Sequence, residues 1–259
     1  MGLALRAWRN MLLGGNVASL PLLAHPRQLL RYTSETLFQY QLEHGSGLPR
    51  KPVYQAFALE GGDVRLGRLD GYNWLHSETP PFAIDLLSLV LLCRAVEPRT
   101  IFEIGTFVGY TALHMALNTP PDARVHTLDL PPQDRGTELQ ITATDAKLID
   151  RTLDPPLFEG TEVAGKVERL FGDSAKFDYS PWHGRVDLFF VDGAHSYEYV
   201  RSDTQNALKC VRPGGVIAWH DYGRLEQSGV TRWLHEFARG HEVYAVPNGS
   251  LAYYRVPPS

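Results

Sequence analysis

The chain has 259 residues, which is enough for one sizeable α/β domain with an elaboration, or for two small domains. Hydrophobic residues make up 44% of the sequence, so a full core can be buried and wholesale disorder is not expected. The formal net charge of −4 argues against a nucleic-acid partner, because there is no basic excess to neutralise phosphate groups.

The cysteine content indicates a reducing compartment. Cys93 and Cys210 lie in apolar patterns of helical period, and such a pair forms neither a disulfide framework nor a metal-ligand cluster. We therefore expect two reduced core thiols and a cytoplasmic location. A membrane-spanning helix needs about 20 consecutive apolar residues. No segment of the sequence reaches that length, so we expect no membrane partner.

Residues 1–80 are predicted to form an N-terminal extension, which precedes a main domain at 81–259. Apolar residues recur at roughly helical spacing over Gln28–Gln41, and this pattern indicates a helical arm. We expect the arm to cover the substrate or to contact a second subunit in a homo-oligomer. A pair of prolines then stops the chain before a long apolar helix, predicted at about Phe82–Ala95.

The most informative stretch follows that helix. An apolar run beginning at Thr100 is typical of a buried strand, and it passes through Gly105 and Gly109 into a sequence of helical composition. Such a turn presents bare backbone N–H groups and the positive end of a helix dipole, which suits the polar part of a nucleotide-like ligand. The spacing is not the dinucleotide-binding G-x-G-x-x-G, because an acid, Glu103, stands two residues before the first glycine.

The rest of the chain alternates predicted strands with predicted helices, which indicates an α/β fold with a doubly wound, mostly parallel sheet. The last two predicted strands, His241–Val246 and Leu251–Arg255, flank a Pro-Asn-Gly-Ser turn and indicate an antiparallel hairpin. The polar segment 131–167 is unusually long for a connection in this architecture. It is predicted to hold a helix at about Leu139–Leu153, and either a functional lid or a simple surface elaboration explains it.

Polar or glycine-rich clusters follow five of the predicted strands. Ligands bind at the carboxyl ends of the strands in such sheets, so we expect these clusters to line one edge. The clusters are Glu103 with Gly105, Asp129, Asp173, Asp192 with His195, and His220 with Asp221.

Carboxylates in these clusters have several candidate roles. Asp129 can accept hydrogen bonds from both hydroxyls of a ribose, and Asp173-Ser174 can bond an adenine amine. Asp129 can also be a helix cap or a turn residue, and Asp173-Ser174 can also cap the following segment. Asp192 and Asp221 end neighbouring strands, where they can hold a divalent cation, orient a basic residue, or bond to backbone N–H groups.

Two histidines, His195 and His220, flank the same spot. A lone histidine is most often a satisfied hydrogen-bond partner. Two histidines beside two acids at a strand-end cleft are compatible with a general base.

Several of these motifs resemble those of a known family. Glu103–Tyr110 resembles motif I of the class I S-adenosylmethionine-dependent methyltransferases. Gly172–Ser174, Val191–Tyr197 and Arg212–Tyr222 are similar to later motifs of the small-molecule O-methyltransferase branch. The resemblance covers about Phe82–Arg255 and implies a Rossmann-like, seven-stranded sheet whose last strand is antiparallel.

The resemblance also implies a binding site for S-adenosylmethionine. Gly105 and the neighbouring backbone hold the methionine part, Glu103 supports that loop, Asp129 binds the ribose, and Asp173-Ser174 lies near the adenine. The implied cofactor-binding residues are Glu103, Gly105, Thr106, Gly109, Tyr110, Asp129, Asp173, Ser174 and Asp192.

In metal-dependent members of the family, acids that match Asp192 and the pair His220-Asp221 hold magnesium. The chain departs from that pattern, since the first residue of the pair is histidine, a softer ligand that magnesium rarely prefers. Mg²⁺ or another divalent cation at Asp192, His220 and Asp221 is therefore an open expectation.

The sequence thus predicts methyl transfer from S-adenosylmethionine to a hydroxyl of a small molecule, with His195 or His220 as the catalytic base. Two other functions stay open at this point. One is a nicotinamide-dependent oxidoreductase, which the missing G-x-G-x-x-G disfavours. The other is a non-catalytic relative that uses the fold for association, which the intact glycine loop disfavours.

Overall fold

The computed structural model describes residues 47–61, 63–67, 81–131, 136–149 and 154–258, together with scattered positions between 27 and 42. The chain divides into two compact units, Met1–Gly47 and Leu48–Ser259. In the first unit, the described positions between 27 and 42 are helical, where the sequence predicts a helix. The predicted arm contact with substrate or subunit stays a prediction.

The second unit is organised around a seven-stranded sheet in the order β3-β2-β1-β4-β5-β7-β6. Strands β1 to β5 pair in parallel, whereas β7 runs antiparallel to both β5 and β6. This confirms the predicted α/β class and the doubly wound, mostly parallel sheet. The strands are β1 (Thr100–Ile104), β2 (Arg124–Asp129), β3 (Val167–Phe171), β4 (Val186–Val191), β5 (Val211–Trp219), β6 (Val243–Ala245) and β7 (Ala252–Arg255).

Two described helices of the second unit precede the sheet, α1 (Val53–Ala56) and α2 (Pro81–Val96). Four more follow β1, β2, β4 and β5, namely α3 (Tyr110–Leu117), α4 (Ala143–Leu148), α5 (Tyr197–Cys210) and α6 (Ser228–Phe237). None of the helices in the described part of the chain is long and apolar enough to cross a membrane.

Successive residues of a strand point to opposite faces of the sheet, and in the central strands β1 and β4 nearly all of them are buried. On one side Ile101 of β1 belongs to a core cluster that also contains Leu92 of α2 and Leu113 of α3. On the other side Phe102 stacks on Phe189 of β4, with ring centroids 5.0 Å apart. The central strands are thus fixed from both sides, which holds their carboxyl ends in register.

The segment before the sheet contributes to the same unit. The Lys51 N–H donates to the Ala245 carbonyl at 2.9 Å, and the Ala245 N–H donates to the Pro49 carbonyl at 3.0 Å. Val53 is buried in the core. Residues 48–53 therefore belong with the sheet. The domain division predicted at residue 80 lies outside the described residues and stays a prediction.

Two predicted element boundaries are wrong. The helix expected at about Leu139–Leu153 starts later, because a capping box of Thr142 and Asp145 begins it at Ala143, and residues 150–153 lie outside the described part of the chain. Strand β5 begins at Val211, although the sequence predicts a turn over Arg212–Gly215. Residues 212–215 form an irregularity in the pairing of β5 with β4, since Val186 pairs with Val211 but Leu188 pairs with Val216.

The two thiols match the prediction. Cys93 and Cys210 are both free and buried, and burial raises the pKa of each thiol to about 12. They are therefore structural and chemically inert.

Candidate active site

The turn from β1 into α3 is fixed by a close approach of two loops. Gly105 has φ +101°, and its N–H donates to the Leu128 carbonyl at 2.8 Å. A Cβ at Gly105 would lie 2.0 Å from the carbonyl oxygen of Asp192, which follows β4. Only glycine fits there, so this residue brings the ends of β1 and β4 together at the point where the strand order reverses.

Glu103 lies under this turn and is completely buried. Its carboxylate accepts hydrogen bonds from the Thr111 hydroxyl and, at 2.5 Å, from the Thr127 hydroxyl. The Thr127 hydroxyl is also 2.7 Å from that of Thr106 in the turn. Burial raises the pKa of Glu103 to about 8, and the hydrogen bonds only partly oppose this effect. Glu103 is therefore placed to support the turn and does not line the cavity beside it.

A cavity of about 370 Å³ lies at the carboxyl ends of the strands, a volume suited to a small-molecule or cofactor site. Gly109, like Glu103, does not line it; with φ +77° it leads the chain into α3, close against Phe158. The remaining residues predicted to bind cofactor do line it, namely Gly105, Thr106, Tyr110, Asp129, Asp173, Ser174 and Asp192.

The Asp129 carboxylate is oriented by backbone donors at the end of β2. It accepts hydrogen bonds from the N–H of Phe107 at 3.0 Å and from the N–H of Leu130 at 2.9 Å. Phe107 has φ +48°, a conformation that side-chain-bearing residues seldom adopt, so the turn is strained at the residue that contacts Asp129. The carboxylate thereby joins the turn after β1 to the end of β2 inside the cavity.

Asp173 has more partners than the sequence analysis anticipated. The Tyr199 hydroxyl of α5 lies 3.0 Å from both of its carboxylate oxygens. The Glu138 N–H donates to Oδ2 at 2.6 Å. Asp173 therefore ties the end of β3 to α5 and to the segment that carries α4.

The other end of that segment reaches His195. The His195 Nδ1 lies 2.5 Å from Asp145 Oδ1, and Nε2 lies 2.7 Å from Asp221 Oδ2. Burial alone would lower the pKa of this imidazole, but Asp221 and Asp145 outweigh burial and raise it to about 10. The ring is thus held by an acid at each nitrogen.

His220 is held in a similar way by a different set of acids. Its Nδ1 lies 3.3 Å from both Asp192 Oδ1 and Asp221 Oδ2, and its Nε2 lies 3.4 Å from Asp85 Oδ2. Burial opposes protonation, but Asp221 and Asp192 raise the pKa of His220 well above its ordinary value. Asp221 in turn has a pKa well below its usual range, because the two histidines outweigh its burial.

Asp192, His195 and Asp221 each offer one ligand atom within 4.8 Å of the others. The acids are those of the predicted metal set, but the histidine of this group is His195 and not His220. Two carboxylate oxygens and an imidazole nitrogen are donors that divalent transition metals accept more readily than magnesium does.

Several residues of the site were missed by the sequence analysis. Asp145 and Asp85 lie far from the strand ends in sequence, and no motif pointed to either. The Thr142-x-x-Asp145 pattern signals a helix start, but it does not show that the helix lies against His195. Arg224, whose Nε is 2.7 Å from Asp221 Oδ1, was also missed because it follows the last motif without a pattern of its own.

The known proteins that resemble this chain are methyltransferases. A family model described as a methyltransferase domain matches residues 102–222. Tapetum-specific methyltransferase 1 of Arabidopsis thaliana is 27% identical over 197 residues, which cover 75% of this chain and 75% of that protein. Caffeoyl-CoA O-methyltransferase of Stellaria longipes is 30% identical over 133 residues, 46% of this chain and 53% of that protein.

The fold has a solved counterpart. The cofactor-bound structure of Rv0187 from MTB has 20% sequence identity and a TM-score of 0.50, and the match covers 81% of this chain and 91% of that chain. At this identity the likeness shows the shared fold alone.

The matched residues 102–222 identify a methyltransferase domain, and the sheet and the acid-preceded glycine turn agree with it. The chain is thus a methyltransferase similar to O-methyltransferases, and S-adenosylmethionine is the methyl donor that the sequence resemblance implies.

Proposed function

We propose that the protein transfers a methyl group from S-adenosylmethionine to a hydroxyl group of a small molecule, with His195 as the general base. The observation that carries the proposal is the position of His195. Its imidazole lines the cavity and is fixed at Nδ1 by Asp145, so that Nε2 is directed to Asp221. A relative named caffeoyl-CoA O-methyltransferase supports oxygen as the acceptor atom.

The residues of the cavity fit the methyl donor. The turn through Gly105 and Thr106 lines the cavity on the side proposed for the methionine part, and Asp129 offers an oriented carboxylate for the ribose. Ser174 and Asp173 line the same cavity at the end of β3, on the side proposed for the adenine. When bound, S-adenosylmethionine supplies a methyl group on a sulfonium for in-line displacement by the acceptor oxygen.

The residues of the chain orient the acceptor, accept its proton and line the cavity with apolar side chains. His195 takes the hydroxyl proton at Nε2 as the acceptor oxygen attacks. Asp221 and Asp145 raise the pKa of His195 to about 10, so its neutral form, which accepts the proton, is favoured as pH rises. Ile141, Leu148 and Ile149 line the cavity with apolar surface. Exclusion of water helps because charge is neutralised as the reaction proceeds.

A divalent cation is a separable second element of the proposal. Asp192 and Asp221 would hold it through carboxylate oxygens; His195, whose ligand atom also converges with theirs, could join them only in place of its role as base, because a nitrogen bound to a metal cannot accept a proton. Such an ion would supply positive charge that lowers the pKa of an acceptor hydroxyl.

The test is transfer of a labelled methyl group from S-adenosylmethionine to a panel of hydroxylated, amino and thiol acceptors, with and without a chelator. His195→Gln should lower kcat by about 10²–10⁴-fold, the usual contribution of a general base. Its dissociation constant for S-adenosylhomocysteine should stay within about threefold of the parent's. His126→Gln is the matched control, because His126 pairs with Glu168 on the sheet and does not line the cavity.

Parental turnover in His195→Gln would exclude the base role, and methylation confined to amino or thiol acceptors would exclude the hydroxyl acceptor. Loss of activity on chelation, with recovery on adding back a divalent cation, would support the metal element. Full activity in the chelator would contradict it.

A further inference from the structure

Residues 136–149 form a cover over the cavity, and its inner side chains are part of the cavity wall. Thr137, Ile141, Thr144, Leu148 and Ile149 all line the cavity. The sequence is compatible with either a lid or a surface elaboration here. Its lining residues put it beside the site where donor and acceptor would meet.

The start of the cover is fixed to the end of β3. The Glu138 N–H donates to Asp173 Oδ2 at 2.6 Å, and the Glu138 carboxylate lies 2.5 Å from Lys176 Nζ. The Leu139 N–H approaches the Tyr199 hydroxyl at 3.4 Å. These contacts hold the cover near the proposed adenine end of the cavity.

The other end of the cover is fixed to His195 by one carboxylate. Asp145 is only 5% exposed. Its Oδ1 lies 2.5 Å from His195 Nδ1, and its Oδ2 accepts hydrogen bonds from the His195 N–H at 3.2 Å and the Thr142 N–H at 2.9 Å. A single side chain thus caps the cover helix α4 and binds both the ring and the backbone of His195.

This shared carboxylate makes two events depend on each other. The ring orientation of a histidine is set by the partner of the nitrogen that does not react. If α4 is not seated, His195 loses the acceptor that fixes Nδ1, and its Nε2 is no longer directed to Asp221. If α4 is seated, the imidazole is oriented and the apolar residues of the cover adjoin the cavity.

We propose that Asp145 is a positioning residue, which couples the seating of the 136–149 cover to the orientation of His195. The proposal rests on the proposed function, because it assigns His195 a reacting nitrogen. It implies that methyl transfer proceeds only when the cover is in place. The cover is therefore a functional part of the active site.

The test compares Asp145→Asn with Thr142→Ala, the matched control. Asp145→Asn keeps the size of the side chain but removes its negative charge. It also replaces one acceptor oxygen with an NH₂ group, which cannot accept a hydrogen bond from an N–H donor. Thr142→Ala removes the capping hydroxyl, which accepts from the Asp145 N–H at 3.1 Å, and leaves the Asp145–His195 contact intact. A role limited to the helix cap would give the two variants similar rates.

Single-turnover methyl transfer at saturating S-adenosylmethionine should be slower by about 10²-fold or more in Asp145→Asn, and within about threefold of the parent in Thr142→Ala. Ring ¹⁵N–¹H correlation spectra should show altered Nδ1 protonation of His195 in Asp145→Asn only. Asp145→Glu, which restores a carboxylate, should recover part of the lost rate.

Parental rates in Asp145→Asn, or equal losses in Asp145→Asn and Thr142→Ala, would overturn the proposal. His195→Gln separates this failure from that of the proposed function. A slow His195→Gln beside a parental Asp145→Asn rejects only the coupling, whereas a parental His195→Gln rejects the base role itself.

Discussion

The Thr127 hydroxyl donates a hydrogen bond to the Glu103 carboxylate at 2.5 Å, and both side chains are fully buried. Thr127 lies on β2 and Glu103 on β1, where the two residues are direct neighbours in the parallel register. The turn hydroxyl of Thr106 extends this contact to the cavity edge. A buried acid thus connects two central strands to the turn proposed to bind the methionine part.

Glu103→Gln should change how stability depends on pH. The pKa of Glu103 is raised from its ordinary 4.5 to about 8, chiefly by burial. Between these values the folded state binds more protons than the unfolded state, so the parent loses stability as pH rises, by up to about 1.4 kcal/mol per pH unit. Gln does not ionise and lacks this dependence. Urea unfolding at pH 6 and pH 8 should therefore show the variant gaining stability relative to the parent at the higher pH; an equal change in both proteins would contradict the shifted pKa.

The sequence was most informative where local pattern and tertiary position coincide. The strand at Thr100 and the turn at Gly105 were predicted correctly. A buried strand is marked by a run of apolar residues, and a turn with φ +101° is marked by a glycine. The position of the cavity at one edge of the sheet was also predicted, because acidic residues follow the ends of several strands.

Contacts between distant segments could not be predicted in the same way. Asp145 reaches His195 across 50 positions, and Asp85 reaches His220 from a helix that precedes the sheet. Nothing in the residues around Asp145 or Asp85 distinguishes them from ordinary helix-surface acids, because their partners are set by how helices seat on the sheet. The boundary of α4 was missed for a related reason: a capping box outweighed the longer helical composition.

Asp129→Asn should weaken cofactor binding. The substitution removes the charge proposed to bind the ribose hydroxyls, and hydrogen bonds to a charged group contribute about 1.5–3 kcal/mol. We expect the dissociation constant for S-adenosylhomocysteine to rise by about 10- to 100-fold in isothermal titration. Asp122→Asn is the control, because Asp122 is an exposed acid before the start of β2 that contacts only the surface Arg99 in the described ion pairs. Equal affinity in parent and Asp129→Asn would remove the ribose role.

Gly105→Ala should destabilise the protein and impair the donor site together. Both Gly105 and Gly184 have positive φ, so alanine at either position costs about 1 kcal/mol of backbone strain. Only at Gly105 would the new Cβ collide with backbone, 2.0 Å from the Asp192 carbonyl oxygen, whereas nothing lies within 4 Å at Gly184. We therefore expect a markedly larger loss of unfolding free energy for Gly105→Ala, with weaker binding of S-adenosylhomocysteine. Equal losses of unfolding free energy in the two variants, measured by urea unfolding, would contradict the tight packing of Gly105 against the Asp192 carbonyl oxygen.

Asp85→Asn should destabilise the link between α2 and the final hairpin. Asp85 is 2% exposed, and it accepts hydrogen bonds from the Ser250 N–H at 2.7 Å, the Ser250 hydroxyl at 2.6 Å and the Leu251 N–H at 2.9 Å. An amide has one acceptor oxygen in place of two, so at least one buried donor loses its partner at a cost of about 1–3 kcal/mol. Asp178→Asn is the control, since Asp178 is exposed and accepts from the Ser180 N–H in a surface turn. Chemical unfolding should show a loss for Asp85→Asn and little change for Asp178→Asn. A stable Asp85→Asn would mean that the pairing of β7 with β5 and β6, together with the hydrogen bonds of Ala245 to Pro49 and Lys51, holds the hairpin without Asp85.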